Sequence, residues 1–497
     1  MKPAASYSLA ALTGLLLVLI QPDPALNLLA PLALTPLLIT LGAIESARQR
    51  FLLGWLAGIL HWGGTCYWIR DTLAQHGGMP GWLALILFLL FALAKGLHLA
   101  VFATLAGHLL AVAWAPPALA LLWVGLERTH AELGFTWLLL GNAGIEMGLP
   151  MRLAPILGVY GLSFVFALIG ASIATWYLRH ERRQLLWCAP LVILYFLPAL
   201  PPVKAGAFQA IAIQPNIPEH GKLSSQQLSD LYDRLARITL NAALDTQSRR
   251  PSLLLWPEAP ASPDYENDAA FRAQADSLAR LSQTPFLFGA VRFDAQGNPF
   301  NSAQLISATG NPAGVYDKMN LVPFGEFVPP VFNLLVDKVS DQAGAFQPGK
   351  DLKVFPTPAG KLGVFICYES AFPHHVRAYA AKGADLLVNL TNDGYFGRSA
   401  ARTQHLRLAR MRAAENERWL LRPTNDGFTV SIDPAGRVID ELPPYQRAAG
   451  RLQYDTPTRT TPYSRFGDIF AWNALALGLL ATLIAWYFTR STAPSWD

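Results

Sequence analysis

A chain of 497 residues is long enough for more than one domain, and 52% hydrophobic against 15% charged residues gives it a lopsided composition rather than an average one. The net charge of +5 is modest, and no basic stripe interleaves with aromatics, which excludes a nucleic-acid-binding reading. Of three cysteines only Cys367 lies outside the long apolar segments, so no disulfide can close within the polar part of the chain, a state permitted in any compartment.

Residues 1–204 are dominated by Leu, Ala, Gly and Trp and carry few charges. A membrane-spanning helix takes about 20 mostly apolar residues. On that rule spans are expected at 7–20, 26–44, 51–69, 82–112, 117–127, 157–178 and 185–200, with an eighth at 469–488. The first reads as a span rather than a cleaved signal sequence, because it lacks a small-residue cleavage site and further spans follow at once. The stretch 82–112 is overlong and carries Lys95 and His98, so it is either one tilted helix or one that extends beyond the bilayer; 117–127 is short, and its bounds are the least defined. Lys2 precedes the first span, Arg48 and Arg50 follow the second, and Arg179, Arg182 and Arg183 follow the sixth. An even number of spans separates these basic sites, which therefore share one side, and the excess of Lys and Arg makes that side cytoplasmic. The polar domain at 205–460 is then extracytoplasmic and tethered at both ends. Glu127, Arg128, Glu146 and Arg152 fall in or beside the loop after the fifth span. Charges there must be paired or wet, which leaves two readings open, an interfacial Glu–Arg pair or a lipid headgroup contact.

Between 205 and 460 the pattern is that of an α/β domain. Strands are expected at 208–213, 252–256, 286–291, 304–307, 314–316, 362–367, 384–390, 419–422 and 428–432, with helices at 226–244, 269–282, 374–381 and 403–417. Gly310-Asn311-Pro312 reads as a turn joining the paired strands at 304–307 and 314–316. Apolar strands alternating with helices argue for a layered sheet. No glycine-rich phosphate loop is present, and no Cys/His cluster has metal-ligand spacing; the adjacent His374-His375 reads as a surface pair. Arg402, Arg407, Arg410 and Arg412 share one expected helix and read as a solvated face rather than a polyanion site.

Three polar groups stand at the ends of apolar runs. Glu258 closes Leu253-Leu254-Leu255-Trp256-Pro257, Lys318 follows Val315-Tyr316-Asp317, and Cys367 closes Val364-Phe365-Ile366. Each alone has an ordinary reading: a carboxylate after a strand is usually a solvated cap, and a free cysteine is usually a small buried hydrophobe. Together they supply what thiol acyl transfer needs. A thiol nucleophile requires a base to take its proton, which a buried carboxylate with a raised pKa can do. The negative oxygen of a tetrahedral intermediate requires a cation or donor, which a buried ammonium provides.

Trp256-Pro257-Glu258, the run YDKMNLVPFGEFVP at 316–329 and Cys367-Tyr368-Glu369-Ser370 resemble the Glu–Lys–Cys motifs of the nitrilase superfamily, or carbon-nitrogen hydrolase family. NLTNDGYFG at 389–397, QHLRLARMRAAENERW at 404–419 and RPTNDG at 422–427 strengthen the likeness. With the eight expected spans, Gly134-Phe135-Thr136-Trp137 and GVYGLS at 158–163, nearly the whole chain resembles the bacterial apolipoprotein N-acyltransferases. The resemblance implies a helical membrane bundle carrying an α-β-β-α sandwich: a seven-helix region at 1–204, a catalytic domain at 205–460 on the periplasmic side of the bacterial inner membrane, and the eighth helix with a cytoplasmic tail at 461–497. It implies a ping-pong reaction in which Cys367 takes an acyl chain from a phospholipid, phosphatidylethanolamine in type, and passes it to the α-amine of a diacylated apolipoprotein's first cysteine. Glu258 would be the general base, Lys318 the oxyanion stabiliser, and Glu326, Tyr368 and Glu369 supporting residues. No metal or cofactor is implied, and a monomer is expected. Two positions depart from the family pattern: Leu223 follows Lys222 where tryptophan is frequent, and Tyr395 replaces a frequent tryptophan.

A membrane-tethered amidase would share the triad and differ only in letting water attack the thioester. A transporter or receptor with an inactive domain is disfavoured by the reactive types at all three positions. Residues 324–346 carry many large apolar side chains among prolines, and read either as a core-facing helix at 331–339 packed under the sheet or as an arm, its apolar face toward the bilayer, that covers the thioester between half-reactions.

Overall fold

The computed structural model describes all residues except 1, 22–23, 220–222, 246–248, 259–260, 328–345 and 492–497. The chain forms two compact units, one of residues 1–70, 82–200 and 466–497, the other of 71–81 and 201–465.

The first unit is helical. Among the described residues three helices are long and apolar enough to cross a membrane: Gly81–Leu109, Val159–Arg179 and Ile469–Thr489, with mean hydropathies of 2.3, 1.7 and 1.9. The first and third expected spans form Pro3–Leu19 and Ala47–Thr65, and the fifth lies within Ala115–Glu132. The second is divided into a 3₁₀ helix, Pro24–Leu32, and a short α-helix, Thr35–Gly42. Pro31 and Pro36 lack the N–H that one continuous α-helix would use there. The seventh, Arg182–Tyr195, winds as a 3₁₀ helix with Pro190 inside it. At about 2.0 Å rise per residue its 14 residues extend about 28 Å, close to the hydrocarbon thickness of about 30 Å. Small residues let helices approach: a Cβ on Gly58 would come within 2.6 Å of the Gly96 backbone.

Of the charges after the fifth expected span, Arg128 takes part in a Glu–Arg pair, with Glu132. Glu127 accepts from the backbone N–H of Leu140 at 2.7 Å. Arg128 reaches Glu132 at 2.9 Å and Asp468 at 2.5 Å, with its guanidinium 4.8 Å from the Trp472 ring centre. Arg152 donates to the carbonyls of Leu194, Tyr195 and Leu197.

The second unit is an α-β-β-α sandwich. Strands β1 (Phe208–Gln214), β2 (Leu253–Leu255), β3 (Phe286–Phe293), β4 (Pro299–Ile306), β5 (Pro312–Asp317), β6 (Val354–Thr357), β7 (Gly360–Ile366), β8 (Leu386–Leu390), β9 (Trp419–Arg422), β10 (Val430–Ile432), β11 (Val438–Glu441) and β12 (Ala448–Tyr454) form two six-stranded sheets. Their orders are β12-β1-β2-β3-β4-β5 and β11-β10-β9-β8-β7-β6. The sheets face each other, β4 against β7 and β12 against β9 and β10. Helices Ser225–Ala243 and Ala269–Ser282 cover the first sheet, and Pro373–Ala381 and Ala401–Asn416 cover the second. The central strands are covered on both sides, which is why β2 and most of β7, β8 and β9 read as apolar runs. Ser225–Ala243 begins with a capping box: Ser224 accepts from the Gln227 N–H at 3.3 Å, and the Gln227 side chain accepts from the Ser224 N–H at 2.8 Å. Its Leu231 and Leu235 enter a core with Trp256, Phe271, Phe286 and Phe288.

Three strands had no sequence expectation: β6, β11 and β12. Each is a sheet edge, half-exposed and mixed in polarity, and β6 contains Pro356, tolerated where no neighbour needs its N–H. Two surface readings are overturned. Arg402, Arg407 and Arg412 are at most 4% exposed, because their helix is enclosed on nearly every side. Arg402 pairs with Asp426 at 2.8 Å, Arg412 with Glu415 at 2.7 Å, and Arg410 donates to the Gly436 carbonyl at 2.6 Å. His375 is likewise buried, 3.4 Å from Glu369.

Candidate active site

Parallel strands deliver their C-terminal ends to one region. β7 ends at Ile366, and Cys367 opens a 3₁₀ turn, Cys367–Ala371, one residue before the expected strand end. Glu258 follows β2 and Lys318 follows β5. Pro257 and Glu258 pass so close to β3 that a Cβ on Gly289 would lie 2.8 Å from the Pro257 oxygen and 2.9 Å from the Glu258 Cα.

Lys318 is 1% exposed. Its Nζ donates to Glu326 Oε1 at 2.9 Å and lies 3.5 Å from Glu258 Oε1. The Asn301 amide, on β4, donates to the same two oxygens, at 2.7 Å to Glu258 and 2.6 Å to Glu326. The second oxygen of Glu258 accepts from the Asn392 N–H at 3.1 Å, and that of Glu326 from the Val322 N–H at 2.7 Å. Two carboxylates thus share one ammonium and one amide, so the group has a net negative charge when both are ionised.

Burial pushes the Glu258 carboxyl above the ordinary range; Lys318 opposes this, and the neighbouring charge of Glu326 adds to it, with the Cys367 thiol also donating to Glu258. Burial disfavours the Lys318 ammonium, but Glu258 and Glu326 outweigh it and hold its pKa well above the usual value. Burial, then the charge of Glu258, raises the Cys367 thiol, with Lys318 pulling the other way. The resting site is a protonated thiol beside a basic carboxylate and a fixed cation. Replacing Glu326 by Gln removes a like charge beside Glu258. The acid limb of any Cys367 acylation profile should therefore move to lower pH, read from rate against pH. A limb that stays in place or moves up contradicts this electrostatic account.

Glu369 is fully buried. Its Oε1 accepts from the backbone N–H groups of Met319 and Asn320 at 2.8 and 3.0 Å, and its Oε2 from that of Ile366 at 2.7 Å. The Tyr316 hydroxyl donates to it at 2.7 Å. It thereby ties the Lys318 segment to the Cys367 turn. Burial alone would raise its pKa; His375 and the backbone donors overcome that and hold it at about 2. Tyr368 is 5% exposed and packs on Phe372, ring centres 5.1 Å apart. Leu223 is 37% exposed, and Lys222 lies outside the described residues. Tyr395 sets its ring 4.9 Å from that of His76. Most of the stretch read as a core helix or covering arm, 328–345, lies outside the described residues.

Sequence reasoning missed Asn301, Asn392 and Glu219. Asn301 precedes the residues expected to begin its strand. Asn392 stands inside the quoted NLTNDGYFG run, and its amide reaches Glu219 at 3.3 Å. Burial raises Glu219 to about 8 against the amides of Asn392 and Asn425, with the charges of Asp426 and Glu258 adding.

The α-β-β-α sandwich has the architecture of the carbon-nitrogen hydrolase class, and the family described as carbon-nitrogen hydrolase matches residues 229–451. A second family, described as the apolipoprotein N-acyltransferase N-terminal domain, matches residues 13–172. Apolipoprotein N-acyltransferases of Geobacter metallireducens and Azotobacter vinelandii are each 33% identical, covering 97% and 93% of this chain and 96% and 91% of their own. That of Vibrio cholerae is 32% identical, with 96% of both chains covered. An amidase structure from Nesterenkonia sp. is 20% identical over 50% of this chain and 91% of its own, with a TM-score of 0.37. The chain belongs to the apolipoprotein N-acyltransferase family and is an acyltransferase.

Proposed function

We propose that this enzyme moves an acyl chain from a phospholipid, phosphatidylethanolamine in type, to the α-amine of the S-diacylglyceryl-cysteine that begins a lipoprotein, through a thioester on Cys367. The observation that carries the reading is the convergence of Glu258, Lys318 and Cys367 at the ends of β2, β5 and β7, with the thiol donating to Glu258. In the first half-reaction Sγ attacks the ester carbonyl as Glu258 takes its proton. The oxyanion forms against the Lys318 ammonium. Collapse breaks the ester C–O bond, and Glu258 returns the proton to the departing lysophospholipid alcohol. In the second, the neutral amine attacks the thioester and yields a proton to Glu258; the C–S bond breaks, and Glu258 reprotonates the thiolate. An acceptor arriving as an ammonium first loses its extra proton to solvent.

The helical part suits lipid-anchored substrates, since moving acyl chains into water costs about 0.8 kcal/mol per CH₂. On this reading residues 1–204 form a seven-helix region in the bacterial inner membrane, 205–460 is a periplasmic catalytic domain, 461–497 supply the eighth spanning helix and a cytoplasmic tail, and the enzyme is a monomer. The basic loops support that orientation, and a reporter fused within 205–460 that proves cytoplasmic would reverse it. Purified enzyme given phosphatidylethanolamine and a diacylated lipopeptide should place the acyl chain on the peptide amine. Release of free fatty acid with the peptide unmodified would instead make the enzyme an amidase-type hydrolase.

A further inference from the structure

Cys367 has a φ of 49° although it carries a side chain. Left-handed backbone of this kind persists only where the surroundings hold it. The hold lies on its carbonyl. The Cys367 oxygen accepts from Nε2 of His405 at 3.0 Å and from the Asn389 amide at 3.4 Å. His405, on helix Ala401–Asn416, is fully buried. Its Nδ1 lies 2.9 Å from Asp393 Oδ1 and 2.9 Å from Arg422 Nη2. Arg422 also donates to both Asp393 oxygens, at 2.8 and 3.0 Å. Burial disfavours the Asp393 anion, but Arg422 and then His405 outweigh it and hold its carboxyl below the usual range.

This network fixes a proton. A carbonyl oxygen only accepts, so Nε2 must carry hydrogen whatever the state of Nδ1. Nδ1 lies between the Asp393 carboxylate and the Arg422 guanidinium, which balance one another in charge. The network is also placed at the reacting end of the sheet. Cys367, Asp393 and Arg422 stand at or just beyond the C-terminal ends of the parallel strands β7, β8 and β9. A closer glycine contact seals it: a Cβ on Gly427 would fall 2.2 Å from Asp393 Oδ2. Buried charges of this sort are weak stabilisers compared with apolar packing.

We infer that His405, oriented by Asp393 and Arg422, is a positioning residue that clamps the Cys367 carbonyl and so aims the nucleophile for acylation. In a trans peptide the carbonyl and the next N–H point opposite ways. Anchoring the Cys367 oxygen on His405 therefore turns the Tyr368 N–H to the other side of the turn and locks the Cα–Cβ direction that carries Sγ. The inference rests on Cys367 being the nucleophile.

The test uses the full-length enzyme in detergent with phosphatidylethanolamine, reading acyl adduct on Cys367 by intact mass against time. Alkylation of the same thiol by iodoacetamide and the melting temperature are followed in parallel. His405→Phe keeps a ring without the donor, His405→Gln restores an N–H at the reach of Nε2, and His405→Asn stops short of it. The clamp predicts acylation about 10²-fold slower in His405→Phe, alkylation little changed, and most of the rate recovered in His405→Gln but not in His405→Asn. Equal rates in His405→Gln and His405→Asn overturn it, and that pair decides even where the Phe variant does not fold. Equal loss of acylation and alkylation, following the melting temperature, also overturns it, since that is a packing role. An adduct in the native enzyme with undiminished rates in the variants counts against the clamp alone. No adduct on Cys367 of the native enzyme counts against the nucleophile assignment and the clamp together.

Discussion

Replacing Lys318 by Ala is expected to slow acylation of Cys367 by about 10²-fold or more, the scale of losing one oxyanion donor. Two effects act in the same direction. The ammonium proposed to face the developing oxyanion is gone, and the Glu258 carboxyl loses the positive charge 3.5 Å away that opposes its raised pKa. Glu258 and Glu326 would then face each other across the Asn301 amide with no cation between them. Like charges so placed do not both ionise, so one takes a proton. If Glu258 takes it, the base is lost along with the cation. Lys318→Ala should therefore acylate slowly and with its acid limb displaced upward, measured as adduct formation against pH. An acylation rate close to that of the native enzyme would remove Lys318 from the chemistry.

The second large effect concerns stability. Glu369→Ala deletes the acceptor of three backbone N–H groups and of the Tyr316 hydroxyl, all buried. Breaking a buried, charged, fully bonded group in this way costs about 3–5 kcal/mol. The same carboxylate sits at about 2 in the fold, against about 4.3 when unfolded. A depressed carboxylate stabilises above its unfolded pKa, and that stability is lost as pH falls toward the folded value. The gap in melting temperature between native enzyme and Glu369→Gln should therefore be widest near neutrality and shrink between about pH 4 and about pH 2. A gap constant across that range would mean that Glu369 acts by shape alone.

What could be read from the residues depended on whether a signal was local. β2, β7, β8 and β9 are covered on both faces, so their apolar runs announce them, and the groups that end those runs, Glu258 and Cys367, stand out. Lys318 and Glu326 are near in sequence and meet in space at 2.9 Å. Asn301 did not stand out, because Phe300-Asn301-Ser302 lacks strand alternation, and its role comes from carboxylates 43 and 25 positions away. The arginine-rich helix misled for the same reason. Four cations on one helix suggest solvent unless Asp426, Glu415 and the Gly436 carbonyl are known to surround them. Edge strands β6, β11 and β12 are half-exposed, so burial leaves little pattern in them. The proline-bearing segments at 26–44 and 185–200 carried the apolar content of spans, but not the fact that proline turns part of each into 3₁₀ helix.

A covalent acyl-enzyme at one sulfur is the central step of the proposed reaction. The direct measurement is mass spectrometry of the enzyme after incubation with phosphatidylethanolamine, followed by a chase with diacylated lipopeptide. The peptide containing Cys367 should gain one acyl group, lose it as the lipopeptide amine gains it, and never gain it in Cys367→Ala. An acyl adduct that survives in Cys367→Ala, or transfer to the lipopeptide by that variant, would contradict the account.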